Sequence, residues 1–260
     1  MSNKRQKLTA LPQPEPVCRV MDTFVTHFAA DYGLVAVDRR LTRDGIQMSV
    51  PGFKWLDEGT HSFLIYIPAV LNTNEWSFNE FWDVRRSVER TRNPMNCNQF
   101  VRRIQGTYGA PYKFGAQTSQ QIGGDDESKW PAPICEAIAD ARGRSSLSNP
   151  VMVHVNWYDN ESQIAPHADN EGINLPGAPI FSYTLIRDSP PRKFQVYDKT
   201  GYKHDGMKCP VHREYTLENG SLLIMGGTMQ HEYVHGVSKP KPRKEYTASR
   251  RINITVRFLL

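Results

Sequence analysis

The chain has 260 residues, of which 39% are hydrophobic and 23% are charged, and this composition excludes a disordered, collagen-like or coiled-coil protein. No apolar run approaches the roughly 18 residues of a membrane-spanning helix, and no secretory signal follows the basic opening residues, so we expect a nuclear or cytoplasmic protein. The formal charge of +5 favours a polyanionic partner without requiring one. The four cysteines are far apart, form no zinc-binding pair and are expected to be free thiols.

Three helices are predicted in the first half of the chain. Residues 1–17 combine basic residues with prolines and lack a hydrophobic period, so we expect a disordered tail there. Helical spacing of apolar residues predicts a short helix that begins near Asp22. A second helix is predicted from Ser77, which precedes Glu80 by three residues in a capping-box arrangement. Trp130 opens a third helix whose prolines lie in the first turn, where they are tolerated.

The second half of the chain changes to an alternating hydrophobic pattern, which indicates strands. Strands are predicted at 151–158, 180–187, 193–198, 221–225 and 251–258. Helices followed by a run of short strands predict an α+β, mainly β fold, a double-stranded β-helix (jelly roll) with N-terminal buttressing helices. The expected organisation is a tail at 1–17, an N-terminal helical region at 18–149 and a β core at 150–260 that forms one structural domain with it.

One short motif has the chemistry of a metal site. His167 and Asp169 are separated by one residue, and in an extended segment such side chains point the same way. His235 follows Asp169 by 66 residues, which is enough chain for several strands to return a third ligand to the same place. Two histidines and one carboxylate on one face of iron leave positions open for a cosubstrate and dioxygen. The set predicts an iron-dependent oxygenase.

A second triplet, with His212 and Glu214, has the same spacing but stands only 21 residues before His235. We interpret it as a pair of surface or structural groups, because short motifs of this kind occur by chance. The loop that contains His204, Asp205, Cys209 and His212 leaves a second metal site open as an alternative.

The last predicted strand has an unusual polar face. Arg251 and Arg257 lie on this face, and a guanidinium that faces a core needs an anionic partner. A dicarboxylate cosubstrate is one such partner, and structural Asp or Glu residues are the alternative. Six residues of flat strand span ~20 Å, further than one small acid reaches. Asn156 and Tyr158 share the polar face of the strand at 151–158 and could hydrogen-bond the same cosubstrate.

These residues and their neighbours resemble the AlkB family of iron(II)- and 2-oxoglutarate-dependent dioxygenases, and its DNA-repair branch most closely. Order and spacing agree from about residue 60 to the C-terminus. The resemblance rests on Asn156-Trp157-Tyr158, His167-Ala168-Asp169-Asn170-Glu171, Pro176-Gly177-Ala178-Pro179-Ile180, Gly220-Ser221-Leu222-Leu223-Ile224-Met225, His235 and Arg251-Ile252-Asn253-Ile254-Thr255-Val256-Arg257, with Arg102-Arg103, Thr107-Tyr108-Gly109 and Tyr112-Lys113-Phe114 upstream.

The resemblance implies a role for each matching residue. The implied iron ligands are His167, Asp169 and His235. The implied 2-oxoglutarate residues are Arg251, which pairs with the distal carboxylate, and Asn156, Tyr158, Asn253 and Arg257. The implied substrate residues are Phe114, which stacks on a flipped base, Glu171, which reads its amino edge, and Tyr112 and Arg103, which hold the nucleotide. The nucleotide-recognition region then falls within residues 18–149.

The implied reaction is oxidative demethylation of N-alkylated bases of the 1-methyladenine and 3-methylcytosine type in DNA or RNA, with release of formaldehyde and succinate. Iron(II), 2-oxoglutarate and O2 are the implied cofactors, nucleic acid is the implied partner, and we expect a monomer with no membrane association.

Residues 185–191 depart from the glycine-bearing strand end usual in the family, and this departure leaves open a hydroxylase of a protein, lipid or other substrate. A catalytically dead nucleic-acid-binding protein is the third alternative, although every expected iron and cosubstrate position is filled.

Overall fold

The computed structural model describes residues 53–57, 62–72, 74–93, 96–111, 113–114, 117–145, 147–170, 172–240 and 249–260. The predicted tail at 1–17 and the helix predicted near Asp22 lie outside the described residues. The described part of the chain forms fifteen strands, which are β1 (Phe53–Asp57), β2 (Ser62–Ile67), β3 (Arg92–Asn93), β4 (Asn96–Phe100), β5 (Ile104–Gly109), β6 (Lys113–Phe114), β7 (Gln117–Thr118), β8 (Val151–Tyr158), β9 (Ile164–His167), β10 (Ile180–Arg187), β11 (Arg192–Asp198), β12 (Arg213–Leu217), β13 (Leu222–Gly226), β14 (Tyr233–Val237) and β15 (Arg250–Phe258).

Most of these strands belong to two antiparallel sheets. The larger sheet has seven strands in the order β1-β2-β13-β10-β15-β8-β5, and the smaller sheet has four in the order β12-β11-β14-β9. Two short hairpins, β3-β4 and β6-β7, lie outside them. Two facing antiparallel sheets with crossing connections form a jelly roll, so the predicted α+β, mainly β class is confirmed.

Four helices accompany the sheets, namely α1 (Glu75–Val84), α2 (Ala132–Ser145), α3 (Lys199–Asp205) and α4 (Met229–Glu232). The predicted capping box at Ser77 is wrong in its register. The N-cap of α1 is Asn74, whose side chain accepts a hydrogen bond from the Ser77 amide at 2.8 Å. Asparagine at this position satisfies one of the free amides of the first turn. In α2, Pro133 lies in the first turn as predicted.

The helices cover one face of the larger sheet. Phe78 and Phe81 of α1 and Ile134 and Ile138 of α2 belong to one buried apolar cluster with the sheet. The sheet contributes the apolar faces of β8 and β15, which contain Val153, Val155, Trp157, Ile252, Ile254 and Val256. The Trp157 indole also donates to the Phe81 carbonyl at 3.0 Å. The helices therefore hold one face of β8 and β15 and leave the polar face to the space between the sheets.

A second apolar cluster fills part of the space between the two sheets. Leu223 and Met225 of β13 meet Phe194 and Val196 of β11 there. The polar faces of β8 and β15 line the rest of this space, where a cavity opens.

The predicted strands agree with β8, β10, β11, β13 and β15 to within one residue at each end. The structure adds β1, β2 and β5 to the larger sheet, so the region at 18–149 contributes strands as well as helices. None of the helices in the described residues has the length and apolar character that a membrane crossing requires.

Candidate active site

The two predicted histidine ligands meet because their strands pair. His235 of β14 and His167 of β9 are direct antiparallel partners, and their ring centroids lie 4.6 Å apart. The strands approach closely beside them, since a Cβ on Gly236 would stand 2.8 Å from the Ile164 carbonyl oxygen. A glycine next to His235 therefore permits the approach that brings the two rings together.

Asp169 completes the cluster two residues after β9 ends. Its Oδ1 lies 3.4 Å from Nε2 of His167, and its Oδ2 lies 3.7 Å from Nε2 of His235. One nitrogen of each ring and one carboxylate oxygen all lie within 4.8 Å of one another. Within the described residues, no other group of three His, Cys, Asp or Glu side chains meets this criterion. Two imidazoles and one carboxylate in this arrangement fit iron(II).

Neighbouring groups hold each ligand in position. Nδ1 of His167 lies 3.0 Å from the Ala165 carbonyl oxygen, and a proton on Nδ1 leaves Nε2 with a free lone pair. The backbone N–H of Asp169 donates to Oε1 of Gln230 at 2.8 Å. The ring of Phe194 stacks on His235 at 5.1 Å between centroids. Each ring and the carboxylate are thus oriented before a metal binds.

The charges at the cluster suit a divalent cation. Burial raises the pKa of Asp169, but the charge of the Arg257 guanidinium opposes burial, and the pKa lies well below its usual range. Burial, and then the neighbouring His167, lowers the pKa of His235 to about 3. The carboxylate is therefore charged and His235 is neutral at physiological pH, and these are the forms that bind metal.

Direct pairing of β8 with β15 builds the polar wall of the cavity. Tyr158 lies opposite Arg251, and Asn156 lies opposite Asn253. The cavity has a volume of about 670 Å³, which is in the range of small-molecule sites. It brings together nine of the twelve predicted site residues, namely Arg103, Asn156, Tyr158, His167, Asp169, His235, Arg251, Asn253 and Arg257.

Arg251 is a buried cation that lacks an anionic partner among the described residues. Its Nη2 donates to Thr184 at 3.1 Å, whereas Nε and Nη1 are buried without a hydrogen-bond partner. Its guanidinium lies over the Tyr158 ring at 4.7 Å, and Arg192 lies over the same ring at 5.2 Å. Burial lowers the pKa of Arg192 to about 10, and the nearby Arg251 adds to this effect. An anionic ligand would satisfy the open donors of Arg251.

Arg257 and Asn253 lie on the cavity wall but have partners in the protein. Arg257 donates to Oδ2 of Asp169 at 2.8 Å, at the metal end of the cavity. The side-chain amide of Asn253 donates to the Ser182 hydroxyl and to the Tyr183 carbonyl, each at 2.9 Å. Arg251 and Arg257 therefore face different groups, which resolves the distance problem that a flat strand poses.

Asn156 and Arg103 join the two sides of the cavity. Nε of Arg103 donates to Oδ1 of Asn156 at 2.8 Å, so this arginine contacts a residue that the resemblance assigns to the cosubstrate. Among the other predicted substrate residues, Tyr112 and Glu171 lie outside the described residues. Phe114 lies on β6, and the structure describes only its backbone.

The second triplet is structural, as predicted. Nε2 of His212 lies 3.1 Å from the Leu56 carbonyl oxygen, and Glu214 pairs with Lys193 at 3.2 Å. His204 is exposed and lies 3.0 Å from Asp205. Cys209 and Cys135 are free thiols, as expected.

Three residues of the site were not predicted from the sequence. Gln230 orients Asp169, Thr184 binds Arg251, and Arg192 stacks on Tyr158. Only Thr184 has a usable pattern, because it lies on a predicted strand beside β15.

A match to a protein-family model agrees with this site. The family model described as 2OG-Fe(II) oxygenase superfamily matches residues 63–257, which is well over half of the chain and includes every residue of the cavity wall named above. A solved structure called OsALKBH1 is 16% identical, covers 78% of this chain and 100% of its own, and has a TM-score of 0.48. No curated protein matches the chain.

The family uses Fe(II), 2-oxoglutarate and O2, and the His167, Asp169 and His235 cluster fits the first of these. The chain belongs to the 2OG-Fe(II) oxygenase superfamily.

Proposed function

We propose that the protein demethylates N-alkylated nucleobases of the 1-methyladenine and 3-methylcytosine type in DNA or RNA. The observation that carries this proposal is the composition of the cavity. The cavity is lined by the metal cluster and the unpaired donors of Arg251, and also by a neutral and basic wall, which consists of Asn93, Gln99, Phe100, Val101, Arg102 and Arg103. The basic residues of this wall suit a phosphate backbone, and its neutral and aromatic residues suit a base attached to that backbone.

The residues divide the work of the reaction. His167, Asp169 and His235 would hold the iron, and Arg251 would bind the distal carboxylate of 2-oxoglutarate. When bound, iron(II) with O2 and 2-oxoglutarate supplies an oxidant: 2-oxoglutarate loses CO2 and gains one oxygen atom as succinate, while the other oxygen atom enters a C–H bond of the N-methyl group. The resulting hemiaminal loses its hydroxyl proton to water and releases formaldehyde, and the electron pair of the broken N–C bond stays on the ring nitrogen.

Residues of the chain bind the cosubstrate and position the target base. Burial of Arg251 strengthens its attraction for a carboxylate, since few waters compete for its donors. The target base must leave its stack to reach the cavity, at a cost of a few kcal/mol that is smallest where methylation has already broken pairing. The proposed nucleotide-recognition region lies within residues 18–149. Of its proposed substrate residues, Arg103 is the one whose side chain the structure describes, and it lines the cavity.

Succinate formation tests the substrate class. Purified protein with iron(II), ascorbate and 2-oxoglutarate is given oligonucleotides with one 1-methyladenine or 3-methylcytosine, the same oligonucleotides unmethylated, or a mixture of peptides. We expect stimulation by the methylated oligonucleotides alone. Stimulation by another substrate class, with none by methylated oligonucleotides, would contradict the proposal and favour a hydroxylase of the same family.

A further inference from the structure

A long stretch of sequence without acidic residues forms one side of the cavity. Between Glu89 and Asp125 the chain has five basic residues and no Asp or Glu. All the members of the neutral and basic wall come from this acid-free segment. The hairpin of β3 and β4 belongs to it, and its described side chains on β4 are exposed.

Phe100 at the end of this hairpin is an exposed aromatic residue in contact with two cations. Its side chain lines the cavity although 44% of the residue is exposed to solvent. The guanidinium of Arg90 lies 5.5 Å from the ring centroid and that of Arg92 lies 5.3 Å from it. Arg92 is the cross-strand partner of Phe100, so the hairpin itself fixes this contact. Of the large apolar residues that are exposed in the described part of the chain, only Phe100 lines the cavity.

A second depression, also lined by basic residues, lies beside the Phe100 ring. It has a volume of about 210 Å³ and is lined by Arg85, Arg90 and Arg102 beside a single acid, Asp159. Arg90 also contacts Phe100, and Arg102 also lines the main cavity, so the two depressions adjoin. Arg102 pairs with Glu161, but both side chains are well exposed, and a phosphate competes readily with such a weak pair.

We propose that Phe100, supported by Arg90 and Arg92, stacks on an unpaired base next to the reacting nucleotide, while Arg85, Arg90 and Arg102 bind the adjoining phosphates. The preferred substrate is therefore single-stranded nucleic acid. An aromatic ring beside a basic groove is the combination that binds single strands without sequence preference. A base within a duplex has both faces stacked and cannot offer one to Phe100 without unstacking. This inference rests on the proposed function, because it takes the substrate to be a nucleic acid.

Fluorescence anisotropy tests the stacking site without any catalysis. The probes are a labelled, unmethylated single-stranded oligonucleotide and the duplex of the same sequence, and the protein is the full chain without added iron. Phe100→Ala is expected to weaken single-strand binding by about 5- to 150-fold, the loss that one base stack represents, and Phe100→Trp is expected to restore it. Arg102→Ala, which removes one of the proposed phosphate contacts, is expected to lower the steepness of log affinity against log salt by about 1.

Met207→Ala is the matched control, because Met207 is an apolar residue that is 73% exposed and lines neither depression. Equal affinity of Phe100→Ala and wild-type protein for the single strand would overturn the stacking site, as would tighter binding of the duplex by wild-type protein. The proposed function is tested separately. If Phe100→Ala loses affinity for the single strand but wild-type protein demethylates no oligonucleotide, the stacking site stands and the demethylase is rejected.

Discussion

Arg257 donates to Oδ2 of Asp169 at 2.8 Å, and both side chains are buried. Asp169 is on the segment after β9 and Arg257 is near the end of β15, so the pair joins the two sheets at the metal cluster. The arginine engages Oδ2, while Oδ1 faces His167 at 3.4 Å. This division leaves Oδ1 directed toward His167 without an arginine partner, and the ion pair on Oδ2 fixes the orientation of the carboxylate.

Loss of this ion pair should weaken metal binding. Arg257→Met removes the charge but keeps much of the volume, and we expect affinity for Mn(II), used as a redox-stable stand-in for iron, to fall about 10- to 100-fold. Arg257→Lys should recover part of the affinity because it keeps the charge. Calorimetric titration measures the affinity, and circular dichroism shows that each variant is folded. Unchanged Mn(II) affinity in Arg257→Met would mean that the pair does not orient Asp169.

Arg251 should govern affinity for 2-oxoglutarate. Its Nε and Nη1 are buried and have no partner among the described residues, so a carboxylate gains charge-assisted hydrogen bonds there. Such bonds contribute about 1.5–3 kcal/mol, and Arg251→Met should therefore raise the KM for 2-oxoglutarate about 10- to 150-fold. Arg250→Met is the control, because Arg250 pairs with Asp188 and Asn79 instead. A similar rise in both variants would argue against a specific role for Arg251.

The metal cluster should be separable from nucleic-acid binding. His235→Ala is expected to abolish the 2-oxoglutarate-dependent absorption band that forms on anaerobic addition of iron(II), and to leave oligonucleotide affinity within about twofold. His204→Ala should change neither property, because its side chain is 88% exposed and lies on α3, not in the cavity wall. Loss of oligonucleotide affinity in His235→Ala together with loss of the absorption band would indicate a damaged fold.

Tyr183 should make the protein sensitive to alkali. Burial raises the pKa of Tyr183 well above its ordinary value of 10.0, and the Asp140 carboxylate that accepts its hydrogen bond at 2.8 Å adds to this effect. The unfolded chain loses the phenol proton near pH 10 while the folded chain keeps it. The stabilisation is therefore complete below pH 10 and decreases as the pH rises further.

Urea unfolding at a series of pH values tests this contribution. Wild-type protein should exceed Tyr183→Phe in free energy of unfolding at pH 8, by about 1.5–3 kcal/mol for a hydrogen bond to a charged group. The difference should shrink above pH 10. A difference that stays constant from pH 8 to pH 11 would contradict a raised pKa in the folded state.

Local patterns in the sequence predict β8, β10, β13 and β15 of the larger sheet and miss β1, β2 and β5. The alternation in β8 and β15 predicts both their bounds and the separation of an apolar face from a polar face, since each face packs against a different environment. The spacing of His167 and Asp169 likewise predicts that the two are neighbours in space, because alternate side chains of an extended segment point to the same side.

Long-range pairing limits what the sequence can predict. Strand β9 has four residues, too few to establish a period, and the pairing of His167 with His235 depends on its position against β14. The contact between Arg257 and Asp169 joins residues far apart in the chain, so β15 alone cannot distinguish a cosubstrate arginine from one that orients a metal ligand. The N-cap at Asn74 replaces the predicted one at Ser77 because both residues can cap and only tertiary packing decides between them.

Mass spectrometry of the base itself tests the central proposal most directly. The protein is incubated with iron(II), ascorbate, 2-oxoglutarate and single-stranded oligonucleotides that carry one 1-methyladenine or 3-methylcytosine. We expect each methylated base to exchange its methyl group for hydrogen, only with 2-oxoglutarate present and not with His235→Ala. Conversion of 2-oxoglutarate to succinate with no change in the mass of any methylated base, in single or double strands, would contradict the assignment as a nucleobase demethylase.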